Sequence, residues 1–402
     1  MDSVHVLVGC ETGLLKAVNI PSRAFTNIAT DSSSLVNKER AVDIILFDQT
    51  EDGAEHDDSL KVRLGLRNRD FVCLDVRNPG QHFSKLRTEG GDGNFVGGGM
   101  IGDNMTTCVQ SGHIFRNERM QRSKQISSCG SDVCQMTQGL SHPSTFVTGG
   151  RENLLKVWDF SNASTPIFTA KNLPDDKLRL RVKTWINDLK FRPKSDDKVV
   201  LAVTAYHELQ VFDVRAKRRP TMIVNYSEDP LTCLDINPQK EFEVLVANRL
   251  GKVALFDLRG TKGMVLRAFT GNQGSVRDIQ FHPSESDHFA VCGLDRFLRL
   301  YKTSQKTFVS EIYMKSVPTC LRFTNEAVRI WSRDDQLDAE ERLAEEKEGK
   351  ATKKRKIVEE EEVIEDESIW TEMSTVDESG NDQEEAARAE TAVLPGRKKK
   401  QR

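Results

Sequence analysis

The side chains of this sequence whose type and spacing could do chemistry are cations at turn positions, and the chemistry is anion binding. Arg67, Arg69, Arg151, Arg249 and Arg296 each sit in a short polar break between two apolar stretches, and Lys177, Arg179, Arg181 and Lys183 alternate along one longer segment. Cations converging on one rim engage RNA phosphates or an acidic partner, and neutralised phosphates supply most sequence-independent affinity for nucleic acid. A second run, Arg215-Ala-Lys-Arg-Arg-Pro220, contains Arg218 and Arg219. Covalent chemistry has no comparable signature. There is no Gly-rich phosphate loop followed by Lys-Ser/Thr, no Gly-x-Ser-x-Gly elbow and no His-Glu-x-x-His. Gly90-Gly91 and Gly97-Gly98-Gly99 lie in a polar, turn-rich stretch and read as flexible-loop glycines. The 8 cysteines are scattered without the paired spacing of a zinc site and read as reduced core residues. The expectation is a protein that is not an enzyme, with no catalytic residue, metal or cofactor.

The elements that must position these turns repeat along the chain. Trp185-Ile-Asn-Asp-Leu-Lys-Phe-Arg-Pro193 aligns with Leu231-Thr-Cys-Leu-Asp-Ile-Asn-Pro238 and with Val276-Arg-Asp-Ile-Gln-Phe-His-Pro283. Each alternates apolar and polar residues before its proline, the period of a strand that ends in a turn. Further strands end at Val18, Leu74, Asn117, Trp158, Phe212, Phe256 and Tyr301. Units of about 40 to 45 residues with four strands each mark an all-β, seven-bladed WD40-type β-propeller. The chain begins on a second strand, and Val317-Pro-Thr-Cys-Leu-Arg-Phe323 supplies the missing first strand of that blade. Closing the ring with strands from both ends removes exposed sheet edges. Two insertions stand out. Residues 48–59 carry six acidic side chains between a first and a second strand, and residues 172–183 carry the alternating cations at the entry to the fifth blade. In a propeller these connections open on opposite faces, as does the loop holding Arg218 and Arg219 relative to 172–183. A hydrolase lining the channel would need converging carboxylates or histidines, and the spacing shows none.

The net charge of −3 conceals a split. Residues 332–402 hold 22 acidic and 14 basic side chains, a net −8, which leaves +5 for residues 1–331. Half the tail is charged, too much to bury an apolar core, so it is expected to be disordered, with 1–331 forming the ring. Within it, Lys353, Lys354, Arg355 and Lys356 form one basic cluster and Arg397, Lys398, Lys399, Lys400 and Arg402 another. Such clusters are candidates for nuclear import and nucleolar retention. Trp370, alone in an acidic segment, is a candidate anchor for a partner. The N-terminus lacks a basic, apolar leader, and no stretch approaches the ~18 apolar residues that span a bilayer. A soluble intracellular protein without membrane contact, monomeric on its own, is expected.

Gly149-Gly-Arg-Glu-Asn-Leu-Leu-Lys-Val-Trp-Asp159, Pro166-Ile-Phe-Thr-Ala-Lys-Asn172, Gly9-Cys-Glu-Thr-Gly-Leu-Leu-Lys16, Arg218-Arg219-Pro220, Gly274-Ser-Val-Arg277 and Cys292-Gly-Leu-Asp-Arg-Phe-Leu-Arg299 are more specific than generic repeat patterning. Together they resemble the WD repeat-containing protein 74 family of ribosome-assembly factors. The resemblance implies a nucleolar scaffold in precursors of the large (60S) ribosomal subunit. Such a scaffold supports pre-rRNA processing beside other assembly factors and RNA-processing machinery, and an AAA ATPase releases it. It also implies that Arg151, Glu152, Asn153, Lys171, Asn172, Arg218 and Arg219 share a binding surface. Asn117 departs from the bulky strand end expected there, which leaves the strand limits of the third blade open. A second resemblance points elsewhere. Asp75-Val-Arg77, Asp213-Val-Arg215 and Asp257-Leu-Arg259 look like the WDxR box of substrate receptors for cullin-type ubiquitin ligases, without its tryptophan.

Overall fold

In the computed structural model the described residues are 4–29, 38–47, 60–78, 82–118, 121–161, 165–175, 177–260 and 262–324. The acidic insertion at 48–59, the basic clusters at 353–356 and 397–402, and Trp370 lie outside them. All described strands fall within the compact unit Met1–Ile330.

The chain folds into four-stranded antiparallel meanders, the third and fourth of which are joined by a parallel pairing of Met136 with Gly97 into one eight-stranded sheet. Apart from the first, each begins at an innermost strand and steps outward in chain order. The innermost strands of the second to seventh are Val42–Phe47, Phe95–Ile101, Val133–Gln138, Ile186–Phe191, Leu231–Ile236 and Val276–Phe281. In the first meander Val6–Cys10, Leu14–Asn19 and Ala24–Ala29 are completed on the inner side by Pro318–Phe323. That pairing runs from Val6↔Phe323 to Cys10↔Pro318. Thr324 reinforces it, donating through Oγ1 to Val4 O at 2.6 Å and through its amide to His5 O at 3.0 Å. The innermost strands touch one another in order, and Val276–Phe281 returns to Pro318–Phe323, so the circuit closes.

Burial explains the residue types. Second strands such as Thr145–Gly150, Val199–Thr204 and His288–Gly293 are buried along their whole length because a neighbouring sheet covers each face. The core therefore sits between sheets. Leu7 and Leu15 of the first meander pack with Val62, Leu64 and Val72 of the second, and Leu201 and Val203 of the fifth pack with Leu234 and Val246 of the sixth. Each such side chain contributes about 1.5 to 3 kcal/mol through burial.

A bulge recurs near the start of the innermost strands, between Val42 and Ile44, Phe95 and Gly97, Val133 and Gln135, Ile186 and Asp188, Leu231 and Cys233, and Val276 and Asp278. A bulge places two residues against one and re-aims a side chain. Asp43, Asn187, Thr232 and Arg277, each at one of these bulges, line a cavity among the innermost strands.

One expectation is corrected at the third meander. Gly97, Gly98 and Gly99 are not loop residues but lie in the innermost strand Phe95–Ile101. The third and fourth meanders approach so closely there that a Cβ on Gly97 would overlap Met136 O, and one on Gly99 would overlap the Gln138 side chain. The unusual strand end also has a physical reason. Asn117 is fully buried and its Nδ2 reaches Thr107 Oγ1 at 3.5 Å, the role that Trp158 Nε1 performs in the fourth meander with Thr148 Oγ1 at 2.9 Å. The strands of this meander are Phe95–Ile101, Asn104–Val109, His113–Glu118 and Arg122–Ser128. All 8 cysteines are free, and only Cys134 is not fully buried.

Candidate interaction surface

Turns between second and third strands are tied to the segments that enter their own sheets. Arg67 N donates to Ala41 O at 2.8 Å, Arg151 N to Asp132 O at 2.9 Å, Arg249 N to Pro230 O at 3.0 Å and Leu294 N to Ser275 O at 3.0 Å. The turn arginines and the entry segments thus lie at the same end of their sheets, as the spacing predicts. Arg69 and Arg296 take φ of 69° and 67°, the left-handed geometry that closes such a tight turn.

Their surroundings differ. Arg67 pairs with Asp43 at 3.0 Å, and burial pushes the Asp43 carboxyl up in pKa against the pull of that guanidinium. Arg69 donates to Gly90 O at 3.0 Å and to Gly91 O. Gly91 has φ of 68°, and a Cβ there would come within 2.8 Å of Val109. Arg249 and Arg296 are exposed and form no ion pair among the described residues.

The densest cluster joins the fourth and fifth meanders. The Arg151 guanidinium lies 5.0 Å from the centre of the Trp185 ring, and the two residues share a backbone bridge. Glu152 donates its amide to Thr184 O at 2.8 Å, and its carboxylate pairs with Arg181 at 2.7 Å. Asn172 is the hub of the following segment. Its Nδ2 donates to Val182 O at 2.6 Å, and its Oδ1 accepts from Thr184 Oγ1 at 3.0 Å and from Leu173 N at 2.9 Å. These bonds hold the ends of the segment and leave Lys177, Leu178, Arg179, Leu180, Arg181 and Lys183 exposed between them.

Spacing sets the loop of Arg218 and Arg219 on the opposite face, and that loop leaves the fifth sheet at the end away from the turn at 205–207, yet it reaches the segment that follows Pro166–Thr169. Arg219 Nε donates to Asn172 O at 3.0 Å, Arg218 Nε donates to Thr169 O at 2.7 Å, and Lys171 N donates to Arg218 O at 2.8 Å. Lys171, Asn172 and Leu173 line a cavity with Gln210, Phe212 and Pro220, so the chain that follows Pro166–Thr169 meets that loop between the sheets. Six of the seven residues implied as a shared surface therefore form a continuous, solvent-facing tract. Asn153 does not join it: it is buried and donates to Cys129 O at 3.1 Å and Ser131 O at 2.9 Å, a structural duty. The sequence reading missed Trp185, assigned to a strand, and Tyr206, which borders the cavity beside Val182, Lys183 and Thr184.

The Asp-x-Arg runs close on themselves. Asp213 accepts from Arg215 N at 2.9 Å and from Nε and Nη2 at 3.1 Å each, and the arginine holds its carboxyl below the usual range. Asp257 likewise accepts from Arg259 N at 2.9 Å.

The channel overturns one expectation, because carboxylates do converge there. Asp43, Asp188 and Asp278 line a cavity of about 180 Å³ with Lys190, Arg277 and Arg322. Burial pushes Asp188 up to about 6, with Lys190 opposing, and also raises Asp235. Asp188 and Asp278, with Asp235 of the strand between them, stitch sheets together. Asp188 Oδ2 accepts from Leu234 N at 2.9 Å, Asp235 Oδ2 from Phe281 N at 2.7 Å and Asp278 Oδ2 from Leu321 N at 2.9 Å. Among the described residues no group of three or more His, Cys, Asp or Glu is placed to hold a metal ion.

No family model matches the chain. It is 35% identical over 327 residues to WD repeat-containing protein 74 of Bos taurus, an alignment covering 79% of this chain and 80% of that protein. It is 27% identical over 206 residues to ribosome biogenesis protein nsa1 of Schizosaccharomyces pombe, covering 48% of this chain and 51% of that one. The solved β-propeller domain of Myceliophteria thermophila Cps50 (Swd1) superposes with a TM-score of 0.53 at 13% identity, over 67% of this chain and 89% of the other, which shows that the fold is a β-propeller. The identity to the bovine protein over four-fifths of both chains establishes that this chain belongs to the WD repeat-containing protein 74 family.

Proposed function

We propose that the chain is a non-catalytic scaffold of ribosome biogenesis. In this reading residues 1–331 form one seven-bladed ring that docks on nucleolar precursors of the large ribosomal subunit and supports pre-rRNA processing. Residues 332–402 form a disordered tail whose basic clusters give the nuclear and nucleolar address, and an AAA ATPase releases the protein. The carrying observation is the continuous tract of Arg151, Glu152, Lys171, Asn172, Arg218 and Arg219, assembled from three separate stretches in a chain whose fission-yeast relative is named a ribosome biogenesis protein. The exposed Arg249 and Arg296 on neighbouring turns extend the cationic rim. Gradient sedimentation of nuclear extract tests this. Co-sedimentation with large-subunit precursors is expected, and confinement to light fractions would sink the reading.

The alternative, a nuclear substrate receptor of a cullin-type ubiquitin ligase, places the adaptor on Arg215 and Arg259. Both arginines are bound to their own aspartates, which weighs against it. Stable adaptor binding that is lost in the Arg215→Ala, Arg259→Ala double variant would favour it instead.

A further inference from the structure

We infer that the segment entering the fifth meander binds a protein partner rather than RNA, and that the partner presents an acidic stretch interspersed with apolar residues. The inference deepens the scaffold reading and rests on it for its setting.

Leu178 and Leu180 are 77% and 60% exposed and are separated only by Arg179. Isolated exposed leucines are ordinary surface features. These two sit on a segment whose ends are fixed by the hydrogen bonds of Asn172 and by the Glu152–Arg181 pair, so their exposure belongs to an anchored loop. Arg179 has φ of 60°, which turns the chain between the leucines. Tyr206, 39% exposed, borders the same segment from the neighbouring turn. The outcome is two exposed leucines interleaved with Lys177, Arg179, Arg181 and Lys183, with Asp175 exposed at the start of the segment.

Partner chemistry follows from what each component rewards. A phosphate backbone rewards the cations alone, and single-stranded bases are gripped by stacking on aromatic or guanidinium planes. Two leucines would gain little against sugar and phosphate. The carboxylate of Glu152, 2.7 Å from Arg181, takes up one of the cations, so charge alone attracts any polyanion less than the count of cations implies. An acidic, apolar-interspersed protein segment uses every component: leucines and tyrosine bury its apolar side chains, and the surrounding cations pair with its carboxylates and fix its orientation. Arginine and tyrosine are also the residues that most often dominate protein interfaces.

The test titrates the full-length protein with two fluorescent probes of equal negative charge, a peptide alternating Glu and Leu and an oligouridylate. Tighter peptide binding is expected. In the Leu178→Ser, Leu180→Ser double variant, which leaves charge and core untouched, peptide affinity should fall about tenfold while RNA affinity stays constant. The Arg179→Gln, Lys183→Gln variant should weaken both. Oligouridylate bound as tightly as the peptide, or peptide affinity unmoved by the serine variant, overturns the inference. Absence from precursor particles with the peptide preference intact would instead count against the scaffold reading.

Discussion

Asp188 Oδ2 accepts the backbone amide of Leu234 at 2.9 Å, so a side chain of one innermost strand takes up the free edge of the next. Its Oδ1 accepts Leu189 N at 2.8 Å. Asp278 repeats the arrangement with Leu321 and Ile279. Asp188→Ala leaves two buried amides without acceptors and should cost about 1 to 3 kcal/mol for each, lowering the melting temperature by several degrees. Asp188→Asn retains one acceptor and removes a buried charge, so it should cost less. An alanine variant melting with the wild type would show that the stitch contributes nothing.

Acid should weaken the fold through His288. Its ring is buried, and burial, with Lys302 adding, pushes its pKa down to about 4, although Glu285 lies 3.4 Å away. A base whose folded pKa is depressed is protonated first in the unfolded chain, so its contribution is full above about 6.5 and is lost as pH falls toward 4. Asp188 has the opposite sign. Its folded pKa near 6 means that the folded state takes up the proton first, so the cost of its buried charge is relieved as pH falls through 6. Across this window the urea midpoint of the wild type should decline relative to that of His288→Gln, a difference that isolates the imidazole from the opposing carboxylates. Equal slopes would assign the acid sensitivity elsewhere.

Strand order and closure were legible because they depend on period-two alternation, which Leu189/Phe191, Leu234/Ile236 and Ile279/Phe281 display openly. Long-range side-chain convergence was not. Asp188 and Asp278 occupy the same place in their repeats, and that signal was available. Each lies beside the bulge at the start of its innermost strand, a register shift that no residue type announces. Gly97 was misread because a glycine needed for close approach of Met136 looks like a loop glycine in one dimension. The meeting of Arg219 with Asn172 depends on an irregular path between two sheets, and periodicity carries nothing about such a path.

Asn172 should control the order of the entry segment without controlling the fold. Its side chain bridges Val182 and Thr184 to Leu173, so Asn172→Ala removes the bonds that close the segment. Because these groups are only partly buried, the global melting temperature should shift little, corresponding to about 1 kcal/mol. Brief trypsin digestion should cut at Lys177, Arg179 or Arg181 severalfold faster than in the wild type. Unchanged cleavage there would show that the backbone bond from Glu152 to Thr184 is enough to hold the segment.

The basic clusters make the last prediction. Lys353-Lys354-Arg355-Lys356 and Arg397-Lys-Lys-Lys-Gln-Arg402 bracket an acidic stretch, whereas the strand that completes the ring ends at Phe323. Removing residues 332–402 takes away no described strand, so the truncated protein should fold and stay soluble, with a melting temperature close to that of the full chain. It should also accumulate poorly in the nucleolus, because the compact clusters that an import receptor or RNA would read are gone. Appending only the two clusters to the truncated chain should restore nuclear entry. Full nucleolar retention of the truncated chain would mean that binding by the ring alone suffices, and it would move the address from the tail to the tract of Arg151 and Arg219.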